Sequence, residues 1–549
     1  MFTINEWLDK IGDWNPQLLR EIRGRLKFRS LVVAVMVSVL IQVLMILFFT
    51  QVTPGGVCNG PRSTCSFTPW DQWWTNQFRI LSWLIPLMLF INVVYTLIGD
   101  LLQEEKRGTF NFIRLSPRSS GSVLIGKILG VPLLGYVAIL LVMPYHIVTS
   151  IAVKANLGFI LSYYTIVLLM TIVLASWSAL TAFLTSGSTF LGSNQMSSVP
   201  IVWTGITLVF IWPFFMFWNS QTVWREQADL FFGTGSTRNT VDLQWFALSM
   251  RDNNLVAHGF LILQLGIVLL ILWRLIARRF YNPDTTVMSK RQSYFLAAYL
   301  NILTIGFFIR TDRLTDSDAV ISDWLVLGSS YVINWVLLLG IALALSPKRQ
   351  HLLDWVKYGA WRHQRQNYDL PQLIQDLLWA EKSPATLAIV VNIVISQIPL
   401  WLFWQTQGRG SYNAENLFMA GRSVTADPSV TSLRFWTIQG SLWLTILLYS
   451  LVIQLGKFLK TRNPDAWATG ALAALIFLPG TVLRVLSLMP ENYPALWLFF
   501  GSPWAALAHI KEASTIVVAL AAQMVVIGIL GSFLYYKLAN TKEQRQSAT

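Results

Sequence analysis

Few residues in this chain are spaced for chemistry. Five histidines, His146, His258, His351, His363 and His509, are scattered through 549 residues without metal-ligand spacing, so no metal centre is expected. Gly121-x-x-x-x-Gly126-Lys127 matches a phosphate-binding loop up to Ile128, where that loop needs Ser or Thr to hold magnesium, and no strand precedes it. It is not a nucleotide site, and no complete loop of that kind occurs elsewhere. Glu104-Glu105 could supply acid–base chemistry, but Lys106-Arg107 follows at once and the four residues read as a solvated turn. Cys58 and Cys65 stand in CNGPRSTC, where a short-loop disulfide or two free thiols are both open. The chain reads as a non-enzyme without a cofactor of its own.

Composition explains why catalytic groups are scarce. Hydrophobic residues make up 54% and charged residues 12%, about half the charged fraction of a soluble protein. A bilayer core needs about 20 apolar residues per helix. Uncharged runs of that kind fall near 30–50, 79–98, 126–150, 158–185, 199–218, 257–276, 293–309, 321–346, 384–405, 434–455, 466–488 and 513–537, which predicts an all-α polytopic membrane protein of about twelve spans. The stretch 496–508 is too short to cross and is expected to be re-entrant or interfacial. Lys and Arg crowd the N-terminus and every second loop, placing both termini in the cytoplasm. The net charge of +14 is therefore read as topology and contact with anionic lipid, with no nucleic acid partner.

Two segments between the spans carry more information. Asn15-Pro16 is a helix start, an N-cap followed by the residue best tolerated in the first turn. Beyond it Leu18, Leu19, Ile22 and Leu26 form one stripe opposite Arg20, Arg23 and Lys27, the pattern of an interfacial helix. After the second span, Gly108 can end a helix and Thr109 to Leu115 make a short aromatic piece, which Ser116-Pro117 stops. Gly126 and Gly130, four apart, would let another helix approach closely.

These two segments, Asn-Pro-x-x-x-Arg-Glu-x-Arg-x-Arg at Asn15 to Arg25 and Glu104-x-x-x-Gly108-Thr109, Pro117 and Gly126-Lys127, resemble the type-2 ABC exporter permeases. The resemblance is clearest over the first half of the chain. It implies that residues 1–29 are a connecting helix, with Asn15, Pro16, Arg20, Glu21 and Arg23 as its characteristic positions. It implies that 30–276 is a six-span permease unit. In that unit loop 100–125, through Glu104, Glu105, Gly108, Thr109 and Pro117, meets an ABC ATPase subunit, and 219–256 forms an external hairpin. ATP and magnesium would then belong to the partner. Residues 277–383 add two spans and a cytoplasmic linker, and 384–549 a four-span region that can be read as a diverged repeat, Pro371 to Val394 echoing Pro16 to Val39.

The expected function is that of the membrane subunit of an ATP-driven exporter in the bacterial cytoplasmic membrane, with an ATPase, membrane lipid and a second permease copy as partners. The competing reading is an ion-coupled secondary transporter. It needs an intramembrane ionisable group, and the spans offer mainly His146 and Arg484. A membrane enzyme would need clustered acids or a metal near the interface.

Overall fold

A computed structural model describes residues 4–51, 69–115, 118–186, 199–218, 244–246, 248–250, 254–309, 323–365, 370–407, 428–459, 461, 464–500 and 513–546. Cys58, Cys65, Pro117 and most of the expected external hairpin lie outside them. Apart from a pair of two-residue strands, Gln244–Trp245 and Leu248–Ser249, the regular structure described is helical. Nine helices among the described residues are long and apolar enough to cross a membrane. A tenth is gained if Ser329–Leu345 and Arg349–Tyr358, bent by 65°, make one broken span. Two of the twelve expected spans fall short. Residues 199–218 are interrupted by a π-helical stretch at Thr207–Ile211, and Lys290–Phe308 spends its first turn on polar residues.

The chain divides into two compact units, one built mainly from Met1–Gly187 and Leu191–Gln244 through to Pro283, the other mainly from Asp284–Thr549. The first unit contains α1 (Ile4–Trp14), α2 (Pro16–Arg25), α3 (Phe28–Gln51), α4 (Pro69–Lys106), α5 (Thr109–Arg114), α6 (Ser120–Gly130), α7 (Leu133–Ala152), α8 (Leu157–Ser186), α9 (Val199–Ile206), α10 (Trp212–Trp218) and α11 (Asn254–Tyr281). Its core is α4 packed on α7 and α8, with α3 on α7 and α11 on α8. The 38 residues of α4 are about 57 Å long at 1.5 Å per residue, nearly twice the hydrocarbon thickness. One end of α4 therefore stands clear of the lipid.

The second unit contains α12 (Lys290–Phe308), α13 (Asp323–Leu345), α14 (Arg349–Arg365), α15 (Leu370–Trp379), α16 (Thr386–Gln407), α17 (Pro428–Phe458), α18 (Pro464–Val485), α19 (Pro494–Phe499) and α20 (Ala513–Gln546). Part of its order of neighbours matches that of the first, although α18 packs on α17, the fourth long helix, where α9 of the first unit packs on α4, the second. In the first unit the first long helix packs on the third (α3 on α7), the second on the fourth (α4 on α8) and the fourth on the last (α8 on α11). In the second unit α12 packs on α16, α13 on α17 and α17 on α20. A short element, α19, precedes the last helix and is held to α20 by the buried Trp497 and Leu498. In this order α13 takes the place of α4. The segment that takes the place of the α4–α6 loop is then 346–385.

Lys290 ties that segment down. Its buried Nζ donates to Leu377 O at 2.5 Å, Ser383 Oγ at 2.6 Å and Pro384 O at 3.2 Å. Tyr294 Oη donates to Leu378 O, and the Arg291 guanidinium stacks on Trp379. Burial among neutral acceptors pulls the Lys290 pKa down to about 8, only partly offset by Asp376. A base whose pKa falls on folding costs stability while it is charged, and the cost is relieved as pH rises from about 8 towards its usual 10.5. Thermal stability should therefore rise over that interval, and in Lys290→Met the rise should flatten.

Candidate functional site

The first unit gathers six charged side chains at one place, where the end of α4 meets α2 and α6. Local sequence sets each element. Asn15 caps α2, its Oδ1 accepting from Leu18 N at 3.0 Å while Pro16 opens the first turn. The same side chain donates from Nδ2 to Ser122 O at 2.7 Å, so one residue starts a helix and pins it to α6. Replacing Asn15 with Ala should remove both bonds and cost about 1–2 kcal/mol, read as a lower melting temperature in detergent.

The end of α4 is equally local. Gly108 adopts φ +73°, the left-handed conformation favoured by glycine, and its N–H returns to Glu105 O at 3.0 Å. Thr109 Oγ1 donates to Glu104 O at 3.1 Å, covering another carbonyl of the last turn. Arg114 Nη1 on Glu105 Oε1 at 3.2 Å closes α5 back onto α4. The Glu104-x-x-x-Gly108-Thr109 motif is thus a helix-stop that turns the chain into α5. Replacing Gly108 with Ala should cost about 1 kcal/mol through left-handed strain.

Gly126 and Gly130 face α2. A Cβ at Gly126 would lie 2.8 Å from both Asn15 Oδ1 and Leu18 N, and one at Gly130 would lie 2.4 Å from Glu21 Cβ. Their smallness lets α2 lie directly on α6, and this contact carries Lys127 into a cage of carboxylates.

Lys127 Nζ donates to Glu21 Oε1 and Asp100 Oδ2, both at 2.7 Å, and stands 2.8 Å from Glu104 Oε1; its side chain is 1% exposed. The oxygens of these three acids lie within 4.8 Å of one another, a spacing that could hold a cation, and here the lysine ammonium fills that place. Arg25 bonds Glu21 at 3.2 Å and also Asp100, and Arg20 bonds Glu104. Three acids meet three bases, so the knot is neutral overall. Burial alone would raise the Glu21 pKa, but Lys127 and Arg25 more than reverse this and hold it below 4.5. Burial likewise works against the Lys127 ammonium, while Asp100, Glu21 and Glu104 carry its pKa above 10.5.

Of the residues singled out from the sequence, Asn15, Arg20, Glu21, Glu104, Gly126 and Gly130 meet in this knot; Gly108, Thr109 and Glu105 build the adjoining turn. Arg23 stays outside, exposed and 3.8 Å from Asp9. Sequence reasoning passed over Lys127, Asp100 and Arg25 as members of one cluster. The signal was a lone lysine inside the apolar run Val123 to Leu129, which calls for a buried counter-ion. His146 lies elsewhere, buried between α4, α7 and α8. Ser82 Oγ is 2.8 Å from its Nε2, Tyr164 Oη is 2.7 Å from its Nδ1, and Phe78 stacks on the ring. Both ring nitrogens are engaged in holding helices together. Arg484 is exposed and stacks over Trp497.

The architecture is that of an all-α, multi-pass membrane protein with a charge-balanced clamp on a helix end. Comparison with family models, curated proteins and solved structures gives no match.

Proposed function

We propose that this chain is the permease of an ATP-driven exporter, a multi-pass protein with both termini in the cytoplasm that is worked by a separate ATPase. One observation supports this reading above the others. The residues resembling exporter permeases come from stretches about a hundred positions apart, and they assemble into a single clamp joining α2, α4 and α6. Such a clamp suits mechanical transmission. A push on the α5 turn is passed by the Gly108 stop to α4, and by Lys127 to α2 and α6 together, instead of being absorbed by a loose loop. ATP and magnesium belong to the partner, which supplies the chemistry.

In this reading the two units, whose helix neighbours match in part, are related, and a single copy takes the place of a permease pair. Purification of the chain from its host in mild detergent, with mass spectrometry and an ATPase assay, tests the reading. The expected product is one permease chain with two copies of a soluble ATPase. A chain that arrives without any ATPase, in detergent that preserves a known transporter complex, would overturn it.

A further inference from the structure

In the second unit a cavity of about 340 Å³ lies between α17, α18 and α20, with the end of α19 against it. Thr445, Tyr449 and Val452 line it as one stripe of α17, and Gln523, Val526 and Leu530 as one stripe of α20. A Cβ at Gly440 of α17 would lie 3.6 Å from Leu520 Cδ1 of α20, so the two helices touch there. Both stripes follow this contact along their own helices and line one cavity, which makes α17 and α20 parallel. Thr445 then stands five residues past the contact and Gln523 three, within about 3 Å of the same level.

The lining residues of α17, α18 and α20 belong to the apolar spans Gln439–Phe458, Trp467–Val485 and Ser514–Leu538, so the cavity sits at the depth of hydrocarbon. Leu475 of α18 and Phe499 of α19 complete its apolar wall. Beside it, Phe477 and Leu478 of α18 and Val525 and Ile529 of α20 are exposed, which puts membrane lipid at its rim.

Two buried polar atoms of this wall lack a partner. Gln523 is 1% exposed, and its Nε2 donates to Phe499 O at 2.5 Å and to Leu498 O at 3.3 Å. Those two carbonyls fix which end of the amide carries the protons, and they leave Oε1 without a donor. Thr165 and Thr171 return their hydroxyls to the carbonyl four residues back, but Thr445, 3% exposed, leaves its Oγ1 unpaired. Ser441 Oγ, one turn earlier on the same stripe, is unpaired as well.

An unmet polar group in hydrocarbon costs free energy, which a ligand of matching chemistry would recover. The space is about twice the roughly 150 Å³ that holds benzene, room for a chain of about a dozen atoms. Residues 435–456, 466–483 and 513–536 include no charged side chain, so an ionised head would find no counter-ion. Gln523 Oε1 can only accept, and Thr445 Oγ1 can donate, a pair that one hydroxyl satisfies. We infer that this cavity binds the hydroxyl end of an uncharged single-chain lipid, such as a long-chain alcohol. The hydroxyl donates to Gln523 Oε1 and accepts from Thr445 Oγ1, while the chain lies along Tyr449, Leu475 and Val526. The site goes beyond the exporter reading and does not depend on it, since no ATPase enters the argument.

Photolabelling tests it. The full chain in phospholipid vesicles would be irradiated with a diazirine-bearing dodecanol and digested for mass spectrometry. Adducts should fall on peptides containing Leu475 or Val526, and 1-dodecanol should reduce them at least tenfold. Dodecyl methyl ether, which has no proton to give, should leave them in place at the same mole fraction. Thr445→Val, nearly isosteric, should raise the alcohol needed for half protection about fivefold, with a melting temperature no lower than that of the wild type. Val526→Phe, whose ring takes up the space, should abolish the adducts.

Equal protection by ether and alcohol would reduce the cavity to a slot for any chain and overturn the inference. So would adducts spread over Phe477 and Ile529 that no alcohol removes, half protection unchanged in Thr445→Val, or a Thr445→Val chain that melts lower.

Discussion

A Lys127→Met chain is expected to lose about 3 kcal/mol of stability, the scale of removing one partner from a buried ion cluster. Glu21, Asp100 and Glu104 would then face one another with two arginines at the rim and nothing between them. The loss should appear as a lower melting temperature in detergent and a lower yield in the membrane. Charge balance makes a second variant informative. Glu21→Gln combined with Lys127→Met restores two acids against two bases and should recover more than half of the loss, which a mere packing defect would not do.

Its pH dependence follows from the shifts. The Glu21 pKa lies below 4.5 in the fold, so its contribution is present above about pH 4.5 and is lost as pH falls through the folded value. The Lys127 pKa lies above 10.5, so its contribution is complete below 10.5 and is lost only as pH rises past the folded value. The stability gap between wild type and Lys127→Met should be flat from about pH 5 to 10 and shrink in acid. Lys290 behaves in the opposite sense, which separates the two lysines in one titration.

The second large effect is expected from Gly130→Val. Its Cβ would meet Glu21 Cβ at 2.4 Å and Cγ at 2.9 Å, and both helices are held by caps that resist sliding. Helix α2 must back away, opening the Glu21–Lys127 contact, at a cost of about 1–3 kcal/mol. If the clamp transmits force, ATP hydrolysis by the complex should lose its dependence on solute well before the chain unfolds. Gly24→Ala in the same helix is the control. Its Cβ would touch nothing within 4 Å, and the change should stabilise α2 by about 0.5–1 kcal/mol.

How far the sequence reaches depends on whether a residue's partner is local. The Asn15-Pro16 start and the Gly108 stop were readable because a cap bonds its own helix within three or four residues. Gly126 and Gly130 announced a close approach, but spacing cannot say which helix comes, and α2 is more than a hundred positions away. Lys127 was visible as part of a rejected nucleotide motif, and Glu104 as part of a solvated turn. Only the fold brings the two within 2.8 Å.

The second unit was harder to read for a related reason. Its helices are visible as apolar runs, but their order of packing is not, because a helix's neighbours are set by residues far along the chain.

The measurement that bears most directly on the exporter reading is a photo-crosslinker placed at Leu115, the exposed residue just past α5. The residue makes no part of the clamp, so its replacement should leave the fold intact. Irradiation in native membranes is predicted to give an adduct with a soluble ATPase that carries a phosphate-binding loop, and Gly130→Val should reduce its yield. An adduct with lipid alone, or with a protein on the opposite side of the membrane, would contradict the account.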